Sequence, residues 1–542
     1  MSETNPRAGV KMIGRIASAL LLVTPGLFAQ QAPPPLYTDL GTHHKAVETR
    51  VPLAQQYFDQ GLRLVYGFNH AEAIRSFTRA TELDPSCAMC WWGLAYAYGP
   101  HVNAGMDSAS GVKAYEAAQK ALSLSPRAKP WKQAYIRAVA ARYAPVPPVD
   151  RANLDSAYAR AMGEAARTYP NDLDAAALYA ESLMDLRPWN YWTPQGKPYP
   201  GTEEIVRQLE RVIARNPEHP GACHFYIHAV EAVNPQLAVP CAERLARLMP
   251  GVGHIVHMPA HIYIRVGRYK DAAASNVHAI HTDETFIEGQ KPVTVYSLAY
   301  YPHNIHFLAF ASTMAGQSAQ AIEAARTLKS KVNLDVARQV PMLQEMLPYH
   351  ALTLTTFGRW DDVLAEPLPP SDIRMPLAMA YYARGVAYAA KGQLAEARTA
   401  LDTVKAIDAT TPADAPAKTP VSIAVHALMG EIATRSGKFD EGIGHFRNAL
   451  KIEDAGLYFE PPKWYYPIRE SLGAALLKAG RPADAEAVYR EDLKRFPENG
   501  WSLFGLAAAL RAQGKSAEAA AVDQRFSTAW SAADIKLPAS RF

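Results

Sequence analysis

The sequence predicts an all-α fold, a right-handed α-solenoid of about 10–12 helix–turn–helix units. Two regular spacings support this prediction. Small residues recur twelve positions apart inside a unit, as Gly61 and Ala73 do, and the same position returns 34 residues later at Ala95. Ala507 follows Gly473 at the same distance of 34 residues towards the other end of the sequence. Because small residues let two helices approach closely, each unit is expected to be a tight helical hairpin.

The repeated unit resembles the tetratricopeptide repeat, a helix–turn–helix with the pattern W-x2-L-G-x2-Y, A-x3-F and P. Ala73, Phe77 and Pro85 match the second half of that pattern, and WWGLAYAY, which begins at Trp91, matches the first half. The resemblance covers roughly residues 50–535. It implies stacked hairpins whose first helices line a concave groove, with a protein or peptide as the partner bound there.

The N-terminal residues are similar to a secretory signal peptide, predicted at residues 1–29. Arg7, Lys11 and Arg15 precede the apolar run IASALLLV, and Ala29 offers a small residue before the cut. We therefore expect an exported protein, located in the periplasm or outside the cell. Later apolar stretches are interrupted by charged residues, so we expect no transmembrane segment in the mature chain.

Pro-rich and irregular stretches indicate how the rest of the chain is divided. QQAPPPL opens a leader, while ATTPADAPAKTP and the stretch from Glu366 to Asp372 look like spacers. The aromatic insertion at residues 186–202 is expected to form a loop, either on a binding face or over an exposed helix end. The predicted divisions are a flexible leader at 30–50, a histidine-bearing N-terminal solenoid at 51–365, a spacer at 366–377 and C-terminal repeats at 378–542.

Histidines are concentrated in the middle of the chain, where ten of the seventeen lie between His219 and His306. His224, His228 and Glu231 occupy positions i, i+4 and i+7, which share one face of a helix. The next unit repeats the arrangement, and the unit after it adds two more histidines. The eight predicted metal ligands are His224, His228, Glu231, His254, His257, His261, His303 and His306.

Pro259 leaves the register of the second set open. A proline inside a helix removes a hydrogen bond and kinks the chain. Either a helix begins near Met258 with Pro259 at its first position, or a longer helix bends there. In the first case His254 and His257 lie in the preceding loop, and His261 stays on the helix in both cases.

Neutral imidazole is a good ligand for zinc, copper and iron, and a carboxylate adds charge to such a site. Histidines in a groove also bind peptide carboxylates or hydrogen-bond to the backbone. Two functions therefore stay open: an exported scaffold that binds a protein or peptide partner and holds a metal in its groove, or a metal-dependent enzyme using zinc, copper or iron. Further groove residues are predicted at Glu181, Asp185, Arg265, Tyr301 and Asn304.

The four cysteines allow three pairings, and in an oxidising compartment we expect them to be bridged. We favour Cys87 with Cys90 and Cys223 with Cys241. C-x-x-C at a helix start is also the geometry of a redox pair, but no thioredoxin-like βαβ pattern surrounds it.

Charge and motifs exclude several classes of protein. The formal net charge is +4 and the chain has no dense Lys/Arg run, which argues against a nucleic-acid partner. The sequence contains no G-x-S-x-G elbow, no P-loop and no H-E-x-x-H motif.

Overall fold

The computed structural model describes residues 34–288, 294 and 296–542. The predicted signal peptide and the first residues of the leader lie outside them. The described residues contain no β-strand, only isolated bridges between His101 and Ala104 and between Trp192 and Pro198. The predicted all-α fold of stacked hairpins is therefore confirmed.

The helices follow one another with short connections. In chain order they are α1 (Pro52–Tyr66), α2 (His70–Leu83), α3 (Ala88–Ala97), α4 (Ser108–Leu124), α5 (Pro130–Ala140), α6 (Ala152–Thr168), α7 (Leu173–Asp185), α8 (Thr202–Arg215), α9 (Pro220–Val230), α10 (Val239–Leu248), α11 (Gly253–His257), α12 (Pro259–Arg265), α13 (Tyr269–Glu288), α14 (Tyr301–Met314), α15 (Ser318–Lys331), α16 (Leu334–Gln339), α17 (Pro341–Gln344), α18 (Tyr349–Thr356), α19 (Trp360–Ala365), α20 (Arg374–Ala390), α21 (Leu394–Thr410), α22 (Lys418–Arg435), α23 (Phe439–Asp454), α24 (Ile468–Lys478), α25 (Pro482–Arg495), α26 (Gly500–Ala512) and α27 (Ser516–Ala529). A π-helical turn, Tyr296–Tyr300, precedes α14.

The chain forms two compact units. The first contains the described residues up to Ile262 together with His278–Tyr301, and the second contains Tyr263–Val277 and Pro302–Phe542. The predicted spacer at 366–377 lies inside the second unit. No helix among the described residues combines the length and apolarity that crossing a bilayer requires.

In each unit, a hairpin has an aromatic ring of its second helix packed directly on a glycine of its first helix. A Cβ atom on Gly61 would lie 2.7 Å from the Phe77 ring, and one on Gly430 would lie 2.8 Å from the Phe446 ring. In both hairpins the aromatic residue follows its glycine by sixteen positions. The small residues that define the repeat in the sequence are thus the points where the two helices come closest.

Residues 34–50, which the sequence analysis assigns to a flexible leader, contain neither helix nor strand but pack on the first unit. Lys45 is 8% exposed and donates to Asp172 at 2.9 Å and to Asp174 at 3.2 Å. Burial lowers the pKa of Lys45, but Asp174 and Asp172 outweigh burial and raise the pKa above its usual value. The Tyr37 backbone N–H donates to Gln60 at 2.9 Å.

Cys87 and Cys90 form the predicted disulfide at the start of α3. Cys87 is the N-cap residue of that helix, and its sulfur accepts a hydrogen bond from the Cys90 N–H at 3.1 Å. The helix continues directly into the apolar WWGLAYA stretch that packs in the first unit.

Gly221 tests the close packing of helices α1 and α9, because a Cβ there would overlap the buried ring of Tyr66 at 2.4 Å. That ring is fixed by a hydrogen bond from its hydroxyl to Asp174 at 2.6 Å. We expect Gly221→Ala to lower the free energy of unfolding by about 1–3 kcal/mol in denaturant titrations, the usual cost of overpacking.

Gly444 on α23 is the matched control, since no heavy atom lies within 4 Å of a Cβ placed there. Gly444→Ala is expected to raise stability by about 0.5–1 kcal/mol through helix propensity. Equal stability of the two variants would contradict the packing role assigned to Gly221.

Candidate metal centre

Helix α9 carries the first group of histidines and begins with two strong start signals. Pro220 occupies its first position, and Nδ1 of His219 accepts the Ala222 N–H at 3.1 Å as an N-cap. His224 and His228 then fall on one face, as the spacing predicts. Glu231 follows directly after the helix as its C-cap residue.

The second group is carried by α11 and by the start of α12. Pro259 is the first residue of α12, and the chain passes from α11 into α12 through Met258 alone, which also has a helical backbone. His254 and His257 lie in the separate short helix α11 and not in a loop. The His254 backbone N–H donates to the Tyr296 hydroxyl at 2.9 Å, which fixes α11 against the π-helical turn.

The imidazole rings of α9, α11 and α12 meet inside the first unit. Nε2 of His224 lies 3.2 Å from Nε2 of His228 and 3.1 Å from Nε2 of His254. Nε2 of His261 lies 2.8 Å from Nε2 of His257. Together with Glu231, these residues are between 0% and 2% exposed. They are buried in the first unit and do not line an open groove.

Hydrogen bonds fix which ring nitrogen of His224 carries the proton. Its Nδ1 lies 2.6 Å from the backbone carbonyl oxygen of Tyr66. A carbonyl oxygen can only accept, so Nδ1 must carry the hydrogen, and in neutral imidazole Nε2 then has a free lone pair. That lone pair points towards His228 and His254.

Glu231 fixes two further rings in the same way. Its carboxylate lies 3.3 Å from Nδ1 of His228 and 2.9 Å from Nδ1 of His261. Burial raises the pKa of Glu231, but His261 and His228 outweigh burial and lower the pKa to about 2. The ionised carboxylate accepts from both Nδ1–H groups, which leaves Nε2 of His228 and of His261 as lone-pair nitrogens.

Two lone pairs therefore face each other across 3.2 Å between His224 and His228. A proton on one ring would relieve their repulsion, but burial lowers the pKa of both. Burial, followed by the charge of His224, also holds the pKa of His254 well below its usual value. Among the described residues, no hydrogen bond fixes the tautomer of His254, because its Nδ1 has no partner. The lone pair of His224 can therefore meet either the Nε2–H of His254, at 3.1 Å, or a metal cation bound by the three Nε2 atoms.

Aromatic residues that the sequence analysis does not identify surround this group. The Phe68 ring centroid lies 4.4 Å from that of His224 and 5.6 Å from that of His254. Phe68 has a backbone φ of 56°, a strained value that only a well-packed surrounding maintains. The sequence does not reveal this role of Phe68, because Phe68 and His224 are more than 150 positions apart in the chain.

The insertion at 186–202 also packs against the histidines. The Trp189 ring lies 4.9 Å from the His228 ring, edge to face. The Trp192 indole N–H donates to the Ala229 carbonyl on α9 at 2.7 Å. The insertion thus covers the helix that carries His224 and His228.

A neighbouring cluster has the composition of a metal site, but its hydrogen bonds do not leave lone pairs of nitrogen facing one another. His43, Asp174 and His219 offer ligand atoms within 4.8 Å of one another. Nδ1 of His219 accepts the Ala222 N–H, so its Nε2 carries the proton and faces Asp174 at 3.3 Å. Asp174 is already paired with Lys45, so this cluster is a structural ion-pair network.

Glu181 and Asp185, predicted as groove residues, belong to a different buried cluster of the first unit. Asp185 accepts a hydrogen bond from Arg142 at 2.5 Å. Burial, followed by the charge of Glu181, raises the pKa of Asp185 well above its usual value. The Arg142 side chain is fully buried and also donates to the Pro100 carbonyl at 2.9 Å. These carboxyl groups are buried beside Arg142 and do not face an open groove.

The remaining predicted residues lie at the start of α14 or in the second unit. Tyr301 closes the first unit, and its hydroxyl donates to Glu284 at 2.8 Å. In the second unit, Arg265 is 4.0 Å from Glu460, the His303 ring packs edge-on against Phe307, and Asn304 is buried.

His306, also in the second unit, packs edge to face on Tyr349 with ring centroids 4.3 Å apart. Burial lowers its pKa to about 3. A histidine held neutral in the fold binds fewer protons than the unfolded chain below pH 6.5, so this group removes stability as the pH falls from about 6.5 to 3.

Replacing His306 by Phe, which also packs on Tyr349, is expected to remove that pH dependence. Between pH 6 and 4, the slope of the unfolding free energy should become shallower by about 1.4 kcal/mol per pH unit. Denaturant titrations at several pH values measure this slope. An unchanged slope, with a variant that is stable at pH 8, would show that His306 is not held neutral.

The predicted Cys223–Cys241 bridge is not closed in the structure. Both cysteines are free and buried, and their sulfur atoms lie 2.8 Å apart. The hydrogen bond from Cys241, followed by burial, raises the pKa of Cys223. A disulfide bond needs about 2.05 Å, so closing it requires a sulfur displacement of less than about 1 Å.

We predict that oxidised glutathione closes this bridge, with two protons and two electrons passing from the thiols to the glutathione disulfide. Thiol titration of the denatured, non-reduced protein should then find no free thiol. Cys241→Ser, which removes one partner, should leave one reactive sulfur. Two thiols persisting in the treated parent protein would refute the bridge.

Comparisons with known proteins agree with the helical hairpins. Two family models described as tetratricopeptide repeat match the chain, one at residues 58–98 and 471–533 and the other at 378–403. A search of curated protein sequences gives no match. Among solved structures, the human IFIT1 dimer with m7Gppp-AAAA is similar at 12% identity, covering 89% of this chain and 90% of that chain with a TM-score of 0.30. The human IFIT1 dimer with PPP-AAAA is similar at 13% identity, covering 97% and 95% with a TM-score of 0.32.

TM-scores at this level carry no argument about a ligand of this chain. The family matches stand independently of them, and the match at 58–98 contains the hairpin in which Gly61 packs on Phe77. The chain contains tetratricopeptide repeats at the matched residues.

Proposed function

We propose that this tetratricopeptide-repeat protein binds a transition metal in its first unit, through Nε2 of His224, His228 and His254. The observation that carries the proposal is the pair of lone-pair nitrogens on His224 and His228, 3.2 Å apart. Each is set by a hydrogen bond on the opposite side of its ring, from Nδ1 to Tyr66 or to Glu231. Partners of this kind orient metal-ligating histidines in general.

The spacing of the nitrogens suits a small, tetrahedrally coordinated ion. Bonds of about 2.0–2.1 Å from nitrogen to zinc place neighbouring ligand nitrogens about 3.3–3.4 Å apart. The Nε2 separations around His224 are 3.1 and 3.2 Å, slightly shorter than that value. Zinc, copper and iron all accept imidazole nitrogen, so the ligand set favours this group of metals over calcium or magnesium.

A metal-dependent enzyme is the second candidate, and the number of ligands supports it. Three protein nitrogens leave one tetrahedral position for water or substrate, as in catalytic zinc sites, whereas structural sites use four protein ligands. Glu231, His257 and His261 lie next to the three ligands and offer further nitrogen and oxygen atoms. One of these atoms can serve as the fourth ligand, or it can accept a proton from a water molecule bound to the metal.

The remaining predictions complete the proposal. Export to the periplasm or the cell exterior rests on residues outside the described part of the chain. The protein-binding or peptide-binding role that the repeats imply does not fit the histidines themselves, because those side chains are buried. Metal binding in the first unit and partner binding elsewhere in the solenoid are compatible.

Metal analysis of protein purified without added metal, followed by titration with zinc, tests the proposal. We expect about one equivalent of transition metal to be bound with high affinity by the parent protein. His224→Ala together with His228→Ala should lose at least tenfold in affinity, about 1.4 kcal/mol or more. His278→Ala is the matched control, because His278 is exposed on α13 in the same unit. A parent protein that neither contains nor takes up metal would refute the site.

Glu231→Gln tests how the ligands are oriented. Each oxygen of Glu231 accepts from a different ring, so in glutamine the donating NH2 replaces one acceptor and faces the Nδ1–H of His228 or of His261. We expect a 10–100-fold loss of metal affinity, the usual effect of removing such a partner. Glu231→Ala should lose at least as much metal affinity. An unchanged affinity in both variants would show that Glu231 does not orient the histidine ligands.

A further inference from the structure

The second unit holds a segment of its own chain, without helix or strand, against its last three hairpins. The segment is residues 534–542, with the sequence DIKLPASRF. It makes contacts with α22, α24 and α26, which are the first helices of three consecutive hairpins. Nothing in the sequence analysis anticipates this arrangement, because the segment carries no repeat signature.

The segment is anchored at its start by a helix cap. The Asp534 carboxylate accepts the N–H groups of Ser318 at 2.7 Å and Ala319 at 2.9 Å, at the beginning of α15. Ile535 and Leu537 then pack on an apolar cluster that contains Trp501. These contacts fix the direction in which the rest of the segment runs.

The last three residues fill three separate positions. The Ser540 hydroxyl donates to the Glu470 carbonyl at 3.1 Å and accepts from the Tyr489 hydroxyl at 2.6 Å. The Phe542 ring lies 6.0 Å from Trp501, and the Phe542 carbonyl accepts from Arg435 at 2.9 Å. Each residue of the Ser-Arg-Phe sequence is therefore contacted by side chains from a different part of the unit.

Arg541 occupies the central position, between two tyrosines. Its guanidinium lies 3.7 Å from the centroid of the Tyr466 ring and donates to the Tyr465 hydroxyl at 2.9 Å. The side chain is 6% exposed. Stacking on tyrosine with a hydrogen bond to a second tyrosine is a specific arrangement for a planar guanidinium, which an ammonium group cannot reproduce.

One donor of Arg541 is unused. Across the described part of the chain, no salt bridge joins Arg541 to a carboxylate, and its Nη1 has no hydrogen-bond partner. Burial lowers the pKa of Arg541, but Tyr465 and Tyr466 outweigh burial and raise the pKa above its usual value. The unpartnered buried donor costs free energy in the closed state, which favours exchange of the segment.

A small cavity lies beside the segment. It adjoins Arg541 and Phe542 and is also lined by Glu431, Ser471 and Lys478. Its volume of about 20 Å³ holds little more than one water molecule. Residues 540–542 therefore fill nearly all of the space at this position.

We propose that the last three hairpins form a peptide-binding site selective for an arginine followed by an aromatic residue, and that residues 540–542 occupy this site and block it. The partner is a protein with an accessible segment of this chemistry. Such a partner binds when its segment replaces the internal one. The proposal does not depend on the metal site of the first unit.

Fluorescence anisotropy with a labelled peptide, DIKLPASRF, tests the proposal on three proteins. A variant lacking residues 534–542 should bind the peptide at least about tenfold more tightly than the full chain, because the internal segment no longer competes. A peptide with Arg541→Lys should bind the shortened variant at least about tenfold more weakly. Equal affinity of the full and shortened chains, or no binding to a folded shortened chain, would overturn the proposal.

The third protein covers the case in which the shortened variant unfolds. The full chain with Arg541→Ala and Phe542→Ala keeps the Asp534 cap but loses the central contacts. It should bind the peptide more tightly than the parent, and adding Tyr466→Ala should remove this gain while Tyr466→Phe preserves most of it. A double variant that binds no better than the parent overturns the proposal.

Discussion

The candidate metal centre depends on one interaction, the buried Glu231 carboxylate that accepts from Nδ1 of His228 and from Nδ1 of His261. It decides the tautomer of both rings and turns their Nε2 lone pairs away from the carboxylate. The Tyr66 carbonyl does the same for His224 from the opposite side. Without these acceptors, neighbouring histidines would hydrogen-bond to each other and require nothing more. With them, the lone pairs of His224 and His228 meet, and the proposed metal site depends on this feature.

The repeat scaffold supplies these acceptors through packing that begins far from the histidines. Gly221 lets the Tyr66 ring lie directly against α9, and the Tyr66 hydroxyl reaches Asp174, which Lys45 neutralises. One tyrosine thus connects the N-terminal segment, α1 and the proposed metal ligand His224. Phe68 packs against the same histidines in a strained backbone conformation. Strain of this kind is common at functional sites.

Sequence periodicity predicted the parts of the site that are local in the chain. Helical spacing placed His224 and His228 on one face, and proline chemistry gave the start at Pro259 as one of two options. The repeat spacing gave the hairpins, because a 34-residue period is visible without any structure. Tyr66 and Phe68 were beyond reach, because their contacts with α9 join distant residues and no periodic pattern encodes them. Nor could sequence tell a capping histidine such as His219 from a ligand, since hydrogen bonds decide the tautomer.

Anomalous diffraction from crystals of the zinc-loaded protein, collected at the zinc edge, tests the central claim most directly. The account predicts a peak about 2.0–2.1 Å from Nε2 of each of His224, His228 and His254. It also predicts that Glu231 still accepts from Nδ1 of His228 in that structure. A peak elsewhere, or rings of His224 and His228 turned so that Nδ1 faces the metal, would contradict it.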